Sequence, residues 1–398
     1  MSLYQDIGVR TLINAKGTAT RLSGAPLRPE VAEAMVEASR HCVDMGELQA
    51  AASREIAAVT GAEAGYVASG AAACLLLAAA ACLARLDPAR MARLPDADGR
   101  ADQIIMVRSQ RNFYDHAIRA SGASIIEVGL PDRYAGAGVR DAAIWEIEAA
   151  ISPNTAAIFY VADAAAQPPL ADITRVAAQL GVPVIVDAAA QLPPQDNLKR
   201  FIREGADIVV FSGGKALGGP QASGFLCGKR DLIMSAALQH LDLDVYEDMW
   251  DPPTSLIDRS LLKGMPSHGI GRTCKVGKEE IIGLLTALRL FVAEGDARRH
   301  AVWLRRLQSV HKSVADDAKI IAQIENADAL DAVPLLVIRP QRAEVNIRGV
   351  IAKLIAGDSS VHVDPARRAS NVLVINPVAL NDSDIPTLGA ALRDAFDA

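Results

Sequence analysis

Short runs of consecutive apolar residues alternate along this chain with longer segments whose apolar positions recur every three or four residues. The runs QIIMV (103–107), SIIEVG (124–129), AAIFYV (156–161), VPVIVDA (182–188) and DIVVFSG (207–213) predict strands buried on both faces. Segments such as DITRVAAQLG (172–181) predict helices between them, and that alternation predicts a mostly parallel sheet with helices packed on it. ASGFLCGK (222–229) follows the run at 207–213 too closely for a helical crossover, so it is expected as that strand's antiparallel neighbour. The greasy stretch GAAACLLLAAAACLA is too short and alanine-rich to span a bilayer and reads as a buried helix.

From about residue 276 the pattern becomes that of one long helix, leading into a C-terminal α+β segment with strands expected at 332–340 and 371–378. The 398 residues exceed one compact core. We expect a large α/β domain over 1–290, with the segment 1–25 near its active site, and a small α+β domain over 291–398. The net charge of −6 is spread without blocks, which argues against nucleic acid as an obligate partner. The N-terminus shows no basic stretch followed by an apolar core, so a cytoplasmic protein without a membrane segment is expected. Five cysteines form no CxxC pair or regular framework; a reducing compartment and small buried side chains account for them.

One stretch carries candidate chemistry. In ADIVVFSGGKALGGPQASGFLCGK (206–229), Lys215 sits among glycines just after an apolar run, where a lysine holds either a phosphate or a carbonyl. The nucleotide loop G-x-x-x-x-G-K-[ST] fails twice, with Val209 at the first glycine and Ala216 in place of the hydroxyl. No GxGxxG follows the early strands. A lysine that forms a Schiff base with pyridoxal 5'-phosphate (PLP) requires a carboxylate to keep the pyridine nitrogen protonated. Asp187, ending the run VPVIVDA, is that candidate, placed beyond a parallel strand's carboxyl end where ligands collect. Ala188 to Ala190 leave a flat floor for a ring, with Ala189 among the cofactor contacts.

A PLP phosphate requires a cradle, and Ser69, Gly70, Ala71 and Ala72 form a tight turn of small residues opening a helix. Ser212 adds a hydroxyl. The stacking partner for the ring is sought in RSQRNFYDHAIRASG, where His116 is the first choice and Tyr114 the second; Phe113 is the third aromatic there. For a substrate carboxylate or sugar phosphate, PSHGIGRTCKVGKEE offers His268, Arg272, Lys275 and Lys278, and the N-terminal GTATRLSG offers Arg21. Arg272 is preferred for bidentate binding; Lys275 and Lys278 read equally as a solvated helix start. Arg367 and Arg368 are further options. His300 and His311 lie about 16 Å apart along one helix, too far to share a metal, and no HExxH occurs.

GAEAGYVASGAAACLLLAAAA, VPVIVDAAAQ, DIVVFSGGKALGGPQASGFLCGK and HGIGRTCKVGKEEIIGLLTAL together resemble the fold type I PLP enzymes that include selenocysteine synthase (L-seryl-tRNA selenium transferase) and D-glucosaminate-6-phosphate ammonia lyase. The likeness runs from about residue 11 to 300. It implies a PLP-dependent transferase fold with a seven-stranded, mostly parallel sheet in the large domain, a small C-terminal domain, and a homodimer or higher homo-oligomer. By position it makes Lys215 the Schiff-base residue, Asp187 the pyridinium partner and Ser69 to Ala72 the phosphate cradle. The catalytic-core likeness begins at residue 11 and no basic face is evident, which disfavours a tRNA substrate. The expected function is removal of ammonia from a small hydroxy amino acid or amino sugar acid: Cα deprotonation and β-elimination of the hydroxyl give an enamine that hydrolyses to a 2-oxo acid and ammonia. Racemisation or epimerisation, aldol cleavage of a β-hydroxy amino acid, and a catalytically silent binding role are the alternatives.

Overall fold

The computed structural model describes residues 3–97, 99–130 and 141–397. In chain order its strands are β1 (Leu12–Ala15), β2 (Ala64–Ala68), β3 (Gln103–Val107), β4 (Ser124–Val128), β5 (Thr155–Val161), β6 (Val184–Asp187), β7 (Ile208–Ser212), β8 (Gly224–Gly228), β9 (Ile320–Glu325), β10 (Leu335–Pro340), β11 (Ser360–Val363) and β12 (Leu373–Ile375). Seven of them form one sheet in the order β2-β8-β7-β6-β5-β3-β4. The pairs β3/β4, β3/β5, β5/β6 and β6/β7 are parallel, whereas β8 runs antiparallel to both β7 and β2. This is the expected α/β architecture, with the strand after Lys215 reversed because only a short loop joins it to β7.

The expected burial on both faces holds for β8 at every position and for the centres of β3, β5 and β7, but not for β4, which lies at the sheet edge and is buried only at Val128. Helix Ala71–Ala84 is buried nearly all round and packs beneath the sheet in one core with Tyr66, Ile104, Met106, Phe159, Ile185 and Val210. Strand β2 was not read from the sequence. Its five residues, AGYVA, carry only two strand formers and merge with the alanine-rich helix that follows. The expected long helix spans Lys278–Val314 but breaks at Gly295, whose φ of 71° no right-handed helix allows.

The chain divides into two compact units: Pro29–Leu192 with Asp196–Arg289, and Met1–Arg28 with Pro193–Gln195 and Leu290–Ala398. The N-terminal segment, expected within the large domain, therefore groups with the C-terminal residues. The physical reason is β1, which pairs in parallel with β11. Arg10 adds to this by donating to the Gly357 and Ile355 carbonyls at 3.0 Å. This unit has its own core, in which Ala15 packs with Leu307, Leu336, Val361 and Leu388. Its three-stranded sheet, β12-β10-β9, is antiparallel throughout. Among the described residues, no helix is long and apolar enough to cross a membrane.

Candidate active site

Three strand ends meet at the carboxyl edge of the seven-stranded sheet. Ala68 of β2 and Ser212 of β7 both pair with Gly224 of β8, so the turn at Ser69-Gly70 and the loop bearing Lys215 leave the sheet side by side. On the other flank of β7, Asp187 ends β6 opposite Val210, and the Ala188 N–H donates to the Val210 carbonyl at 2.9 Å. The topology thus gathers the turn at Ser69, Ser212, Lys215 and Asp187, which lie far apart in the chain.

Asp187 is 8 % exposed. Its carboxylate accepts the Ala189 N–H at 3.0 Å. Burial pushes the carboxyl up from its ordinary value, against the pull of that N–H and of the nearby Lys215 charge. Burial likewise pushes the Lys215 ammonium down, while the Asp187 charge acts in the opposite sense. A buried carboxylate held by a backbone amide, with burial still outweighing its partners, suits a site that receives a further N–H donor. A protonated pyridine nitrogen is such a donor. A lysine whose charge is disfavoured suits imine chemistry with a carbonyl.

Helix Ala71–Ala84 supplies the other half. Gly70 caps it in an extended, positive-φ conformation (φ 110°), and the first intrahelical bond runs from Cys74 N–H to the Gly70 carbonyl at 3.0 Å. The N–H groups of Ala71, Ala72 and Ala73 therefore have no acceptor in the helix, and the positive end of its dipole faces outward. β8 brings this turn close to the sheet: a Cβ on Gly224 would lie 2.6 Å from the Gly70 carbonyl carbon and 2.7 Å from the Ala71 nitrogen.

The glycines beside Lys215 serve the loop itself. A Cβ at Gly213 would strike the Ser223 hydroxyl at 2.2 Å, and one at Gly214 the Gln221 Cα at 2.7 Å. The loop folds back so that the Gly213 N–H donates to the Ser223 carbonyl and the Gly219 N–H to the Gly213 carbonyl, both at 2.9 Å. The slim backbone lets the loop fold onto itself as it leads from β7 into β8.

The outer candidates fare differently. Arg272 and His268 are brought together, but on a protein carboxylate: Asp242 accepts from Arg272 at 2.7 Å and lies 3.4 Å from His268 Nε2. Sequence reading could not see this partner, since Asp242 lies at a helix end 30 residues from Arg272. His116 is exposed on helix Asp115–Ala120, its Nδ1 3.1 Å from Arg119. Tyr114 and Phe113 precede it, 56 % and 94 % exposed. Lys275 is exposed and Lys278 pairs with Glu279. Arg21 belongs to the other unit, exposed on the turn Thr20–Leu22. There Arg367 pairs with Glu325 at 2.9 Å, and Arg368 bonds the Pro365 carbonyl. His300 and His311 bond the backbone carbonyls of Asn326 and Ala322. Among the described residues no cluster of three metal-ligating side chains occurs.

A polar group at this edge was missed altogether. The Cys274 carbonyl accepts the Ser69 hydroxyl at 2.9 Å and also lies 2.7 Å from His240 Nε2. A carbonyl only accepts, so Nε2 carries the proton and Nδ1 accepts from the Tyr66 hydroxyl at 2.8 Å. Burial lowers the His240 pKa and raises that of Tyr66 well above its ordinary value, so both are neutral in this arrangement.

The chain is similar to known proteins over most of its length. Residues 12–244 match the family model described as SelA, L-seryl-tRNA selenium transferase. The chain is 29 % identical over 403 residues to a D-glucosaminate-6-phosphate ammonia lyase of Salmonella typhimurium, covering 99 % of this chain and 97 % of that protein. It is 30 % identical over 390 residues to a 5'-C-glycyluridine monooxygenase-decarboxylase of a Streptomyces species, covering 95 % and 88 %. A solved D-glucosaminate-6-phosphate ammonia-lyase structure superposes with a TM-score of 0.81 at 27 % identity, over 100 % of this chain and 98 % of that one. A serine palmitoyltransferase solved with PLP, at 12 % identity and a TM-score of 0.54, shares the fold alone. The chain belongs to the SelA, L-seryl-tRNA selenium transferase, family and has the fold of type I PLP enzymes.

Proposed function

We propose that this protein is a PLP-dependent lyase that releases ammonia from a small hydroxy amino acid or amino sugar acid. The observation that carries the reading is the pairing of half-buried Lys215 with buried Asp187, each within reach of the other's charge, at the carboxyl ends of adjacent strands. Lys215 would hold the cofactor's carbonyl carbon and Asp187 its ring nitrogen. The N–H groups of Ala71 to Ala73, in the turn that Ser69 opens, would hold the phosphate with Ser212, and Ala189 and His116 would flank the ring. Bound there, PLP supplies an electron sink for a carbanion at the substrate's Cα. The Lys215 amine, its charge disfavoured by burial, then takes the Cα proton and can return one to a leaving hydroxyl. Asp187 keeps the ring nitrogen protonated. Arg272, which still has N–H donors beyond the one used by Asp242, is proposed to bind the substrate carboxylate, with His268 beside it.

Likeness over the full length to the Salmonella lyase supports β-elimination. The Streptomyces relative is equally similar and carries an oxidative name, so the deciding assay must register both chemistries. Purified protein loaded with PLP is offered a panel of hydroxy amino acids and amino sugar acids. Ammonia and a 2-oxo acid in equal amounts, without oxygen uptake, are the expected products. Oxygen consumption with loss of carbon dioxide would overturn the lyase assignment, and exchange of the Cα hydrogen without net product would replace it with a racemase. Lys215→Ala should lose the visible absorption of lysine-bound cofactor and at least about three orders of magnitude of turnover. Phe113 and Tyr114, exposed beside His116, support a homo-oligomer in which a second copy covers this edge; sedimentation measures it.

A further inference from the structure

We propose that Tyr66 and His240 are positioning residues for the phosphate cradle, acting through the Cys274 carbonyl. The inference rests on the PLP reading above and concerns residues that do not themselves touch the ligand. Tyr66 is fully buried and His240 nearly so, 174 residues apart in the chain, with their rings edge to face at 5.4 Å. Their hydrogen bonds run in one direction, from the Tyr66 hydroxyl to His240 Nδ1 and from Nε2–H to the Cys274 carbonyl. That carbonyl also takes the single hydroxyl proton of Ser69. Ser69 directly precedes the capping Gly70, so the fixed point lies immediately before the open N–H groups of Ala71 to Ala73.

Cys274 ends the short 3-10 turn Ile270–Cys274, which carries Arg272. This strap has no slack. A Cβ on Gly271 would lie 2.3 Å from Leu77 Cδ2 and 2.9 Å from the Gln239 carbonyl, so the strap is pressed between helices Ala71–Ala84 and Arg230–His240. The strap thus meets the cradle helix twice, at Leu77 within it and at Ser69 before it. His240 locks the second meeting. Because the Ser69 proton is committed to Cys274, phosphate binding would rely on backbone N–H groups whose orientation the lock fixes before the ligand arrives. Preorganised donors of this kind add affinity by reducing the ordering cost of binding.

The test compares PLP with pyridoxal, which lacks the phosphate, by titrating apo-protein and following cofactor absorbance. In Tyr66→Phe, which removes one buried oxygen, and in His240→Leu, PLP should bind about tenfold more weakly. Pyridoxal should bind within about twofold of wild type in both, since one lost hydrogen bond acts only on the phosphate end. His240→Gln, which keeps an N–H near the place of Nε2, should retain most of the PLP affinity. A general loss of structure would weaken both ligands alike, and that result, or unchanged PLP affinity in Tyr66→Phe, overturns the inference. Should His240→Leu fail to fold, Tyr66→Phe alone decides. Wild-type protein that binds neither compound overturns the cofactor reading and this inference with it; wild-type protein that binds PLP no better than Tyr66→Phe overturns the inference alone.

Discussion

Asp187 and Lys215 could be found from the sequence because each is announced locally, by an apolar run that ends in it or just before it and by small residues that follow. Their charges carry a consequence for the apo-protein. The Asp187 carboxyl is pushed up by burial, so its ionised form costs folding free energy at pH values above its native pKa. That cost vanishes below the unfolded value, where the group is protonated in both states. Apo Asp187→Asn should therefore melt at a higher temperature than wild type at pH 7, with the gain shrinking toward pH 4, as calorimetry across that range would record. On the proposed function the same variant should also lose turnover, because asparagine carries no charge to keep a ring nitrogen protonated. Arg272 was legible as a cation but not as a paired one, since Asp242 is joined to it only by the fold. The cysteines follow their surroundings too: burial pushes Cys82 and Cys227 up to about 12. Exposed Cys42 should be the fast-reacting thiol in a native disulfide-exchange titration, with all five accessible after denaturation.

At the level of elements, the strand runs of the large sheet were readable where β-branched and other large apolar residues follow one another, even in the partly exposed edge strand β4, and unreadable where a buried strand is short and alanine-rich, as in β2. The reversed strand β8 was inferred from loop length alone. What no local pattern announces is that its first residue sets the place of a helix: Gly224 leaves room for the Gly70 and Ala71 peptides. Gly224→Ala would drive a methyl group into backbone atoms that cannot move independently. It should cost about 1–3 kcal/mol of stability and weaken PLP binding together with it, measurable by denaturant titration and cofactor absorbance. The break at Gly295 was signalled by a glycine within a helical pattern, yet helical spacing on both sides concealed it.

For the whole molecule, the boundary between units escaped sequence reading because β1 and β11 are four residues each and their pairing joins opposite ends of the chain. Deleting residues 1–16 should leave the seven-stranded sheet intact while exposing the edge of β11 and removing Ala15 from its core. Fluorescence of Trp303, buried in that unit, should then show an earlier melting transition than in the full chain. That same pairing imposes an order on biosynthesis. Leu12 leaves the ribosome well ahead of Ser360, which it meets only after the intervening chain has been made, a wait of roughly 20 to 70 s at ordinary elongation rates. The seven-stranded sheet is complete by Gly228, so the edge that carries the candidate site can assemble while β1 still lacks its partner.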